Sequence, residues 1–270
     1  MTGATATEAP SVSVVIPTHN RAEMCVRAVE SALNQTSPAM EIIVCDDHST
    51  DSTRASLELL SANNERVSYL RRDSGKAGPG ATRNLGITAA NGDLVAFLDD
   101  DDEWLPEKLE RQLPAALNGD GVVCSNALRS SGAPYFEDTL NHVITRDEIS
   151  THNPIILSSS IIPRKALAAV GGFSESSWLS GVEDYELWLR LADGGIAMTR
   201  IGDPLLNYAD AGDDRLSARS LRNECALASV FFARWLRAPS DRRQLSSCAS
   251  RIHGSISEAG RLISRRRQSV

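Results

Sequence analysis

Residues 94–98, Leu-Val-Ala-Phe-Leu, run without a break into four consecutive aspartates, Asp99 to Asp102. A short continuous apolar run predicts a buried strand. The charges belong at its end, because an unpaired carboxylate in a core is strongly destabilising. In an open α/β sheet the carboxyl edge of the strands is where ligands bind. Carboxylates gathered there suit a hard divalent cation, Mg²⁺ or Mn²⁺, with a phosphate completing its shell. An acidic surface turn is the alternative reading of this segment taken alone.

The same kind of junction recurs earlier in the chain. Residues 12–16 predict a first strand, halted by Pro17 and followed by Thr18-His19-Asn20, and residues 41–45 a second, ending in Asp46-Asp47. Residues 67–70 predict a third. Helical periodicity separates them over 21–34, through Leu57, Leu59 and Leu60, and over 81–90. Gly75, Gly78, Pro79 and Gly80 mark the intervening 71–80 stretch as a flexible loop, and Pro106 stands as the first residue of a helix carrying Leu109 and Leu113. Further on, 155–162 reads as a strand, 163–170 as a short helix, 183–191 as a helix, and 196–201 and 204–208 as closing strands. Strands alternating with helices predict an α/β fold with a Rossmann-like mixed, mainly parallel sheet flanked by helices. Its polar strand ends should then converge on one edge.

Composition narrows the class. The hydrophobic fraction of 41% and charged fraction of 23% are ordinary for a globular protein, and no apolar run reaches the roughly 18 residues of a membrane span. The first eleven residues lack the basic and apolar regions of a signal peptide and read as a disordered lead. Cys25, Cys45, Cys124, Cys225 and Cys248 are odd in number and widely spaced, which predicts reduced, packed thiols and a cytoplasmic location. A net charge of −7 argues against a nucleic-acid binder. Charge is unevenly spread: from Arg215 onward there are twelve arginines against Glu224, Asp241 and Glu258. Leu221, Cys225, Ala228, Phe232 and Trp235 form one helical stripe there, and Leu245, Ala249, Ile252, Ile256, Ala259 and Ile263 a second. The expected organisation is a lead (1–11), two halves of one domain (12–124 and 125–212), and a C-terminal helical hairpin with a basic tail (213–270). Such a hairpin could pack on the core or build a homodimer. Its Arg265-Arg266-Arg267 end reads as a solvated tail, or as a peripheral contact with the inner face of a membrane.

Four segments in order, Val14 to Arg21, Val44 to Asp51, Ala81 to Gly86 and Phe97 to Asp102, resemble the signatures of glycosyltransferase family 2. The likeness continues through Gly171-Gly172-Phe173 and Gly181 to Trp188, and covers roughly residues 12–208. It implies a GT-A fold and an inverting enzyme that transfers one sugar from a nucleotide diphosphate sugar to a hydroxyl acceptor, with 12–124 as the nucleotide-sugar (donor) binding half and 125–212 as the acceptor-binding and catalytic half. It further implies that Asp101 binds Mn²⁺ or Mg²⁺, that Asp99 or Asp100 reaches the ribose or the sugar, and that Asp102 supports them. Asp47, or alternatively Asp46, would accept a hydrogen bond from the nucleotide base, with Pro17, Thr18, Asn20 and Arg21 on the same side. Lys76 and Arg83 are the candidate cations for the diphosphate or the base. Asp184 matches the general base, next to Glu183, at a helix start whose dipole favours its ionised form. Trp178 and Trp188 offer ring faces to a sugar, Trp188 fitting the core better. The histidine that family members often carry after the last strand is absent; Asp210 or Asp213 is the candidate substitute. His19, His48, His142, His152 and His253 are too scattered to form a metal cluster.

Two other classes compete. A sugar-nucleotide-binding scaffold would need neither Asp101 nor Asp184, and a nucleotidyltransferase would open with a Gly-rich loop where Pro17-Thr18-His19-Asn20-Arg21 stands. The acceptor and the donor base are left open by the sequence.

Overall fold

The computed structural model describes residues 10–73, 75, 78–117, 121–210, 221–237, 246–247 and 249–251. Strand β1 (Val12–Thr18) is buried along its whole length, as a strand covered on both faces must be. It lies between β2 (Glu41–Asp47) and β4 (Leu94–Phe97), with β3 (Val67–Arg72) beyond β2, all parallel. Next to β4 comes the short β8 (Ile161–Pro163), antiparallel both to β4 and to β6 (Val122–Arg129). β9 (Met198–Tyr208) then runs parallel to β6, and β5 (Glu103–Trp104) and β7 (His142–Val143) pair antiparallel to β9. One sheet therefore joins the strands before and after residue 124, in the order β3-β2-β1-β4-β8-β6-β9-β5.

Alternation along each strand divides the core in two. Val14, Ile16, Ile42, Val44 and Ala96 meet α1 (Ala22–Leu33), α2 (Thr53–Asn63) and α4 (Lys108–Leu117). Val15, Ile43, Cys45, Val95 and Phe97 lie on the other face, with α3 (Pro79–Ala89), α6 (Arg164–Val170), α7 (Glu183–Asp193) and α8 (Leu221–Arg237). A Cβ at Gly86 would overlap the side chain of Val15, so α3 can sit this close to β1 only with glycine there. A short helix, α5 (Arg146–Ile149), precedes the loop that returns to β8.

Several local expectations need correction. Pro17 lies within β1, where it pairs with Cys45; on the β4 side the pairing already ends at Val15–Phe97, so its missing N–H breaks no ladder. The strand expected over 155–162 is mostly a 3₁₀ turn at Leu157–Ser159. Its serines bond back to the preceding backbone, Ser159 Oγ to Ile156 O and Ser160 Oγ to Leu157 O, both at 2.7 Å, and compete with strand pairing. The two closing strands are one, β9, with register shifts against β6 around Asn126. Pro106 precedes α4 rather than opening it, and its carbonyl accepts Thr36 N.

Cys25, Cys45 and Cys124 are free and buried, and burial pushes all three thiols up to about 12. No helix among the described residues is long and apolar enough to cross a membrane. The first C-terminal helix is α8; residues 1–9 of the expected lead and most residues of the expected second helix and basic tail lie outside the described residues, as do Lys76, Asp213 and Cys248, while Ser11 is tied to Asp93.

Candidate active site

The polar strand ends do converge, on a cavity of about 760 Å³ at the carboxyl edge of β1, β2 and β4. At the β2 end the two aspartates of the doublet part company. Asp46 is fully buried and held by Ser49 N (2.9 Å), Tyr69 OH (2.6 Å) and Arg71 Nη1 (2.9 Å). Burial opposes its charge, but those hydrogen bonds outweigh the cost and hold the carboxyl below its ordinary range. Asp46 thus fastens the β2–α2 turn. Asp47 instead lines the cavity, where it accepts Arg72 Nη1 and Gly78 N, each at 2.8 Å. Asn20, in the left-handed region at φ 54°, does not line the cavity. It clamps the same turn, donating N–H to Ser49 Oγ and accepting Thr50 N.

The acidic end of β4 is met by two arginines. Arg21 Nη1 bridges Asp100 Oδ1 (2.9 Å) and Asp101 Oδ2 (3.0 Å), while Thr18 Oγ1 donates to Asp100 Oδ2 at 2.8 Å. Arg83, 5% exposed, reaches Asp99 with Nη2 and Glu183 with Nη1, both at 2.7 Å. It is therefore a tie between carboxylates from two segments. Burial still pushes Asp100 up to about 6. Burial and the neighbouring Asp99 also raise Asp101, and raise Asp102 well above the usual carboxylate range. Asp102 accepts Ala209 N through Oδ1, and its buried Oδ2 has no partner among the described residues.

Asp184 reaches this cavity because its helix is drawn to it. Asn84 on α3 holds Phe173 by both backbone groups, at 2.9 and 2.8 Å, and Phe173 packs edge-on against Phe97. Glu183, next along, is paired to Arg83 and accepts Gly181 N. Asp184 stands in the first turn of α7 and takes a hydrogen bond from Asn153 Nδ2 at 3.0 Å. Burial, with the charge of Glu183, pushes it up to about 6.

Of the remaining candidates, Pro17 lines the cavity, while Trp178 and Asp210 stand outside its lining. The Trp178 indole donates to Ser229 Oγ on α8. Asp210 is taken up by Ser130 N and Arg129 Nη1, which hold it down to about 2; Tyr208 and Ala209 occupy the cavity edge instead. Trp188 is fully buried core. Several groups in or beside the cavity carry no clear sequence signal. Asn153 and the aromatic pair Tyr135 and Phe136 lie in an irregular stretch that gives no signal. Arg72 has one: β3 ends in Arg71-Arg72, in register with Asp46-Asp47.

A sequence profile described as glycosyl transferase family 2 matches residues 13–168. The GalNAc(5)-diNAcBac-PP-undecaprenol beta-1,3-glucosyltransferase of Campylobacter jejuni is 38% identical over 119 residues, which are 44% of this chain and 38% of that protein. The Escherichia coli UDP-Glc:alpha-D-GlcNAc-diphosphoundecaprenol beta-1,3-glucosyltransferase WfgD is 37% identical over 106 residues, 39% of this chain and 41% of its own. The chain thus spans about two fifths of the length of these curated relatives. Among solved structures, S. aureus TarS 1-349 in complex with UDP-GlcNAc superposes with a TM-score of 0.65 at 20% identity, over 82% of this chain and 66% of that one. The expected GT-A architecture is borne out.

Proposed function

The chain belongs to glycosyl transferase family 2, and we propose that it transfers one sugar, with inversion, from a nucleoside diphosphate sugar to an acceptor hydroxyl, Asp184 acting as general base. The observation that carries this reading is the shared cavity. Asp47, the β4 carboxylates and Asp184 line one space, and Arg83 ties the second to the neighbour of the third. Asp47 is the group for an N–H of the nucleotide base. A carboxylate has about four acceptor sites, so its bonds to Arg72, His48 and Gly78 leave room for one more.

The β4 end fits a divalent cation. Its donors are all carboxylate oxygens, three of its aspartates hold protons unusually tightly through burial and mutual repulsion, and Asp102 Oδ2 is buried without a partner among the described residues. Among those residues no three His, Cys, Asp or Glu groups make a closed cage. Asp101 is the proposed ligand, with Asp99 or Asp100 toward the ribose or sugar, and the donor phosphates are the natural source of further oxygens. Bound Mg²⁺ or Mn²⁺ would offset the charge that develops on the departing diphosphate.

Asp184, with its pKa near 6, is ionised at neutral pH yet basic enough to take a proton. The acceptor oxygen bonds to the anomeric carbon as the bond to the diphosphate breaks on the opposite face, and the hydroxyl proton passes to Asp184. The named relatives act on sugars linked through diphosphate to undecaprenol, and a polyprenol diphosphate sugar is the acceptor class proposed here. Such a substrate lies at a membrane surface, which the arginine-rich C-terminal region would meet; salt-sensitive sedimentation with anionic vesicles tests that contact.

The primary test measures nucleoside diphosphate release from UDP-, dTDP- and GDP-sugars, with Mg²⁺, Mn²⁺ or EDTA, on wild type and Asp184→Asn. One base should be preferred, release should need the metal, and the substitution should lower the rate by roughly 10²–10⁴-fold with donor affinity retained. Donor binding without turnover under any of these conditions, with a diphosphate-linked acceptor supplied, would favour a sugar-nucleotide-binding protein instead.

A further inference from the structure

Asn153 lies in the irregular segment between α5 and the 3₁₀ turn, and its side-chain amide is used at both ends. Oδ1 accepts Ile155 N at 3.2 Å, and Nδ2 donates to Asp184 Oδ2 at 3.0 Å. The first bond sets which way round the amide lies, since a flipped amide would point N–H at N–H. The second therefore offers Asp184 a donor. The end of α5, from which that segment leaves, is also fastened to α7, because Tyr185 OH donates to Ile149 O at 2.8 Å. Asn153 and Asp184 thus line the cavity from segments joined twice.

We propose that Asn153 is a positioning residue for the transfer: it tethers Asp184 by Oδ2, so that Oδ1 is the oxygen offered to the acceptor hydroxyl. This rests on Asp184 being the base. A tethered carboxylate cannot swing about its terminal torsion, which keeps the receiving oxygen in line with the attacking hydroxyl. The amide donor also favours the ionised form, against burial and the adjacent Glu183.

The charged groups on the surrounding elements leave Asn153 this role. Arg83 from α3 is divided between Glu183 and Asp99. On α5, Arg146 is paired with Asp193 and Glu148 with His142. On α6, Arg164 turns to Gly92 O. Arg190, further along α7, is held by Glu186. None of these contacts is made to Asp184, so its hydrogen-bonded side-chain partner is a neutral amide.

The test compares wild type with Asn153→Ala, and with Asn153→Ser should the alanine variant not fold. Proteins labelled with ¹³C-carboxyl aspartate are titrated by NMR, with the Asp184 signal assigned from Asp184→Asn. The expected result is a rise of about one unit in the Asp184 midpoint, with the acid limb of kcat/KM for nucleoside diphosphate release moving by the same amount. Affinity for the nucleoside diphosphate product should stay within about twofold, which a general loss of structure would not allow. An unmoved midpoint in a folded variant overturns the proposal directly. So does activity lost equally at every pH with the limb in place. A shifted midpoint in a wild-type protein that binds donor but releases no diphosphate overturns it through the reading of Asp184 on which it rests.

Discussion

Replacing Arg83 with methionine removes the cation that, among the described residues, joins the β4 acids to the start of α7. The Glu183 arm of this tie is deeply buried on both sides, at 6% and 7% side-chain exposure, whereas Asp99 is 30% exposed. The Glu183 arm therefore carries most of the effect, since exposed pairs contribute little. In Arg83→Met, Glu183 keeps only its bond from Gly181 N and becomes a buried charge without a counter-ion. Removing one partner of such a pair costs about 3–5 kcal/mol, and for a chain of this size each kcal/mol lowers Tm by about 2–4 °C. A fall of roughly 6–20 °C is expected by differential scanning calorimetry at neutral pH. Adding Glu183→Gln removes the stranded charge, so the double variant should lose about 1–3 kcal/mol less than the two single losses summed. An Arg83→Met protein melting within about 2 °C of wild type would refute the reasoning. Strict additivity in the double variant would do the same by showing that the two side chains do not share a free energy.

Asp184→Asn should lose transfer activity and gain stability. Burial and Glu183 raise the folded-state pKa to about 6 from an ordinary 3.8, so the native protein bears a penalty that is complete above pH 6 and disappears as pH falls toward 4. The variant should melt higher than wild type at pH 7.5, with the gap closing near pH 4.5; a gap independent of pH would contradict this. Lys108 has the opposite sign. It is fully buried against Trp104, with Nζ donating to Gln112 at 2.6 Å, and burial pulls its pKa from 10.5 to about 7. The unfolded chain then binds a proton that the folded one lacks between those values, so stability due to Lys108 rises with pH from 7 to 10. Measured against Lys108→Met, wild type should improve steadily over that range, and parallel curves would show that the amine titrates normally.

Much of the site was legible because strand ends concentrate charge where a core cannot take it. Asp47, Asp99 to Asp102 and Asp184 all lie on the cavity that alternating strands and helices led one to expect. Asp46 was ambiguous in sequence, since a carboxylate that caps a turn and one that faces a ligand look alike until Ser49, Tyr69 and Arg71 are seen around it. Arg83 read as a free cation because its two partners lie 16 and 100 positions away. The 3₁₀ turn was hidden by apolar neighbours that mimic a strand, although its serines carried the reason. Asn153, Tyr135 and Phe136 had no periodicity to betray them; their place is set by tertiary contacts such as the two bonds from Asn126 to the Phe136 backbone.

The antiparallel insertion of β8 between β4 and β6 has an evolutionary side. The spacing between the β4 acids and α7 is kept by Arg83, by Asn84 and by a continuous sheet, all outside the irregular stretch 130–141. That stretch can diversify while the β4 acids and Asp184 hold their separation. A lineage built this way could try new acceptors by rewriting one loop, and a chimera exchanging residues 130–141 is the natural laboratory version of that history.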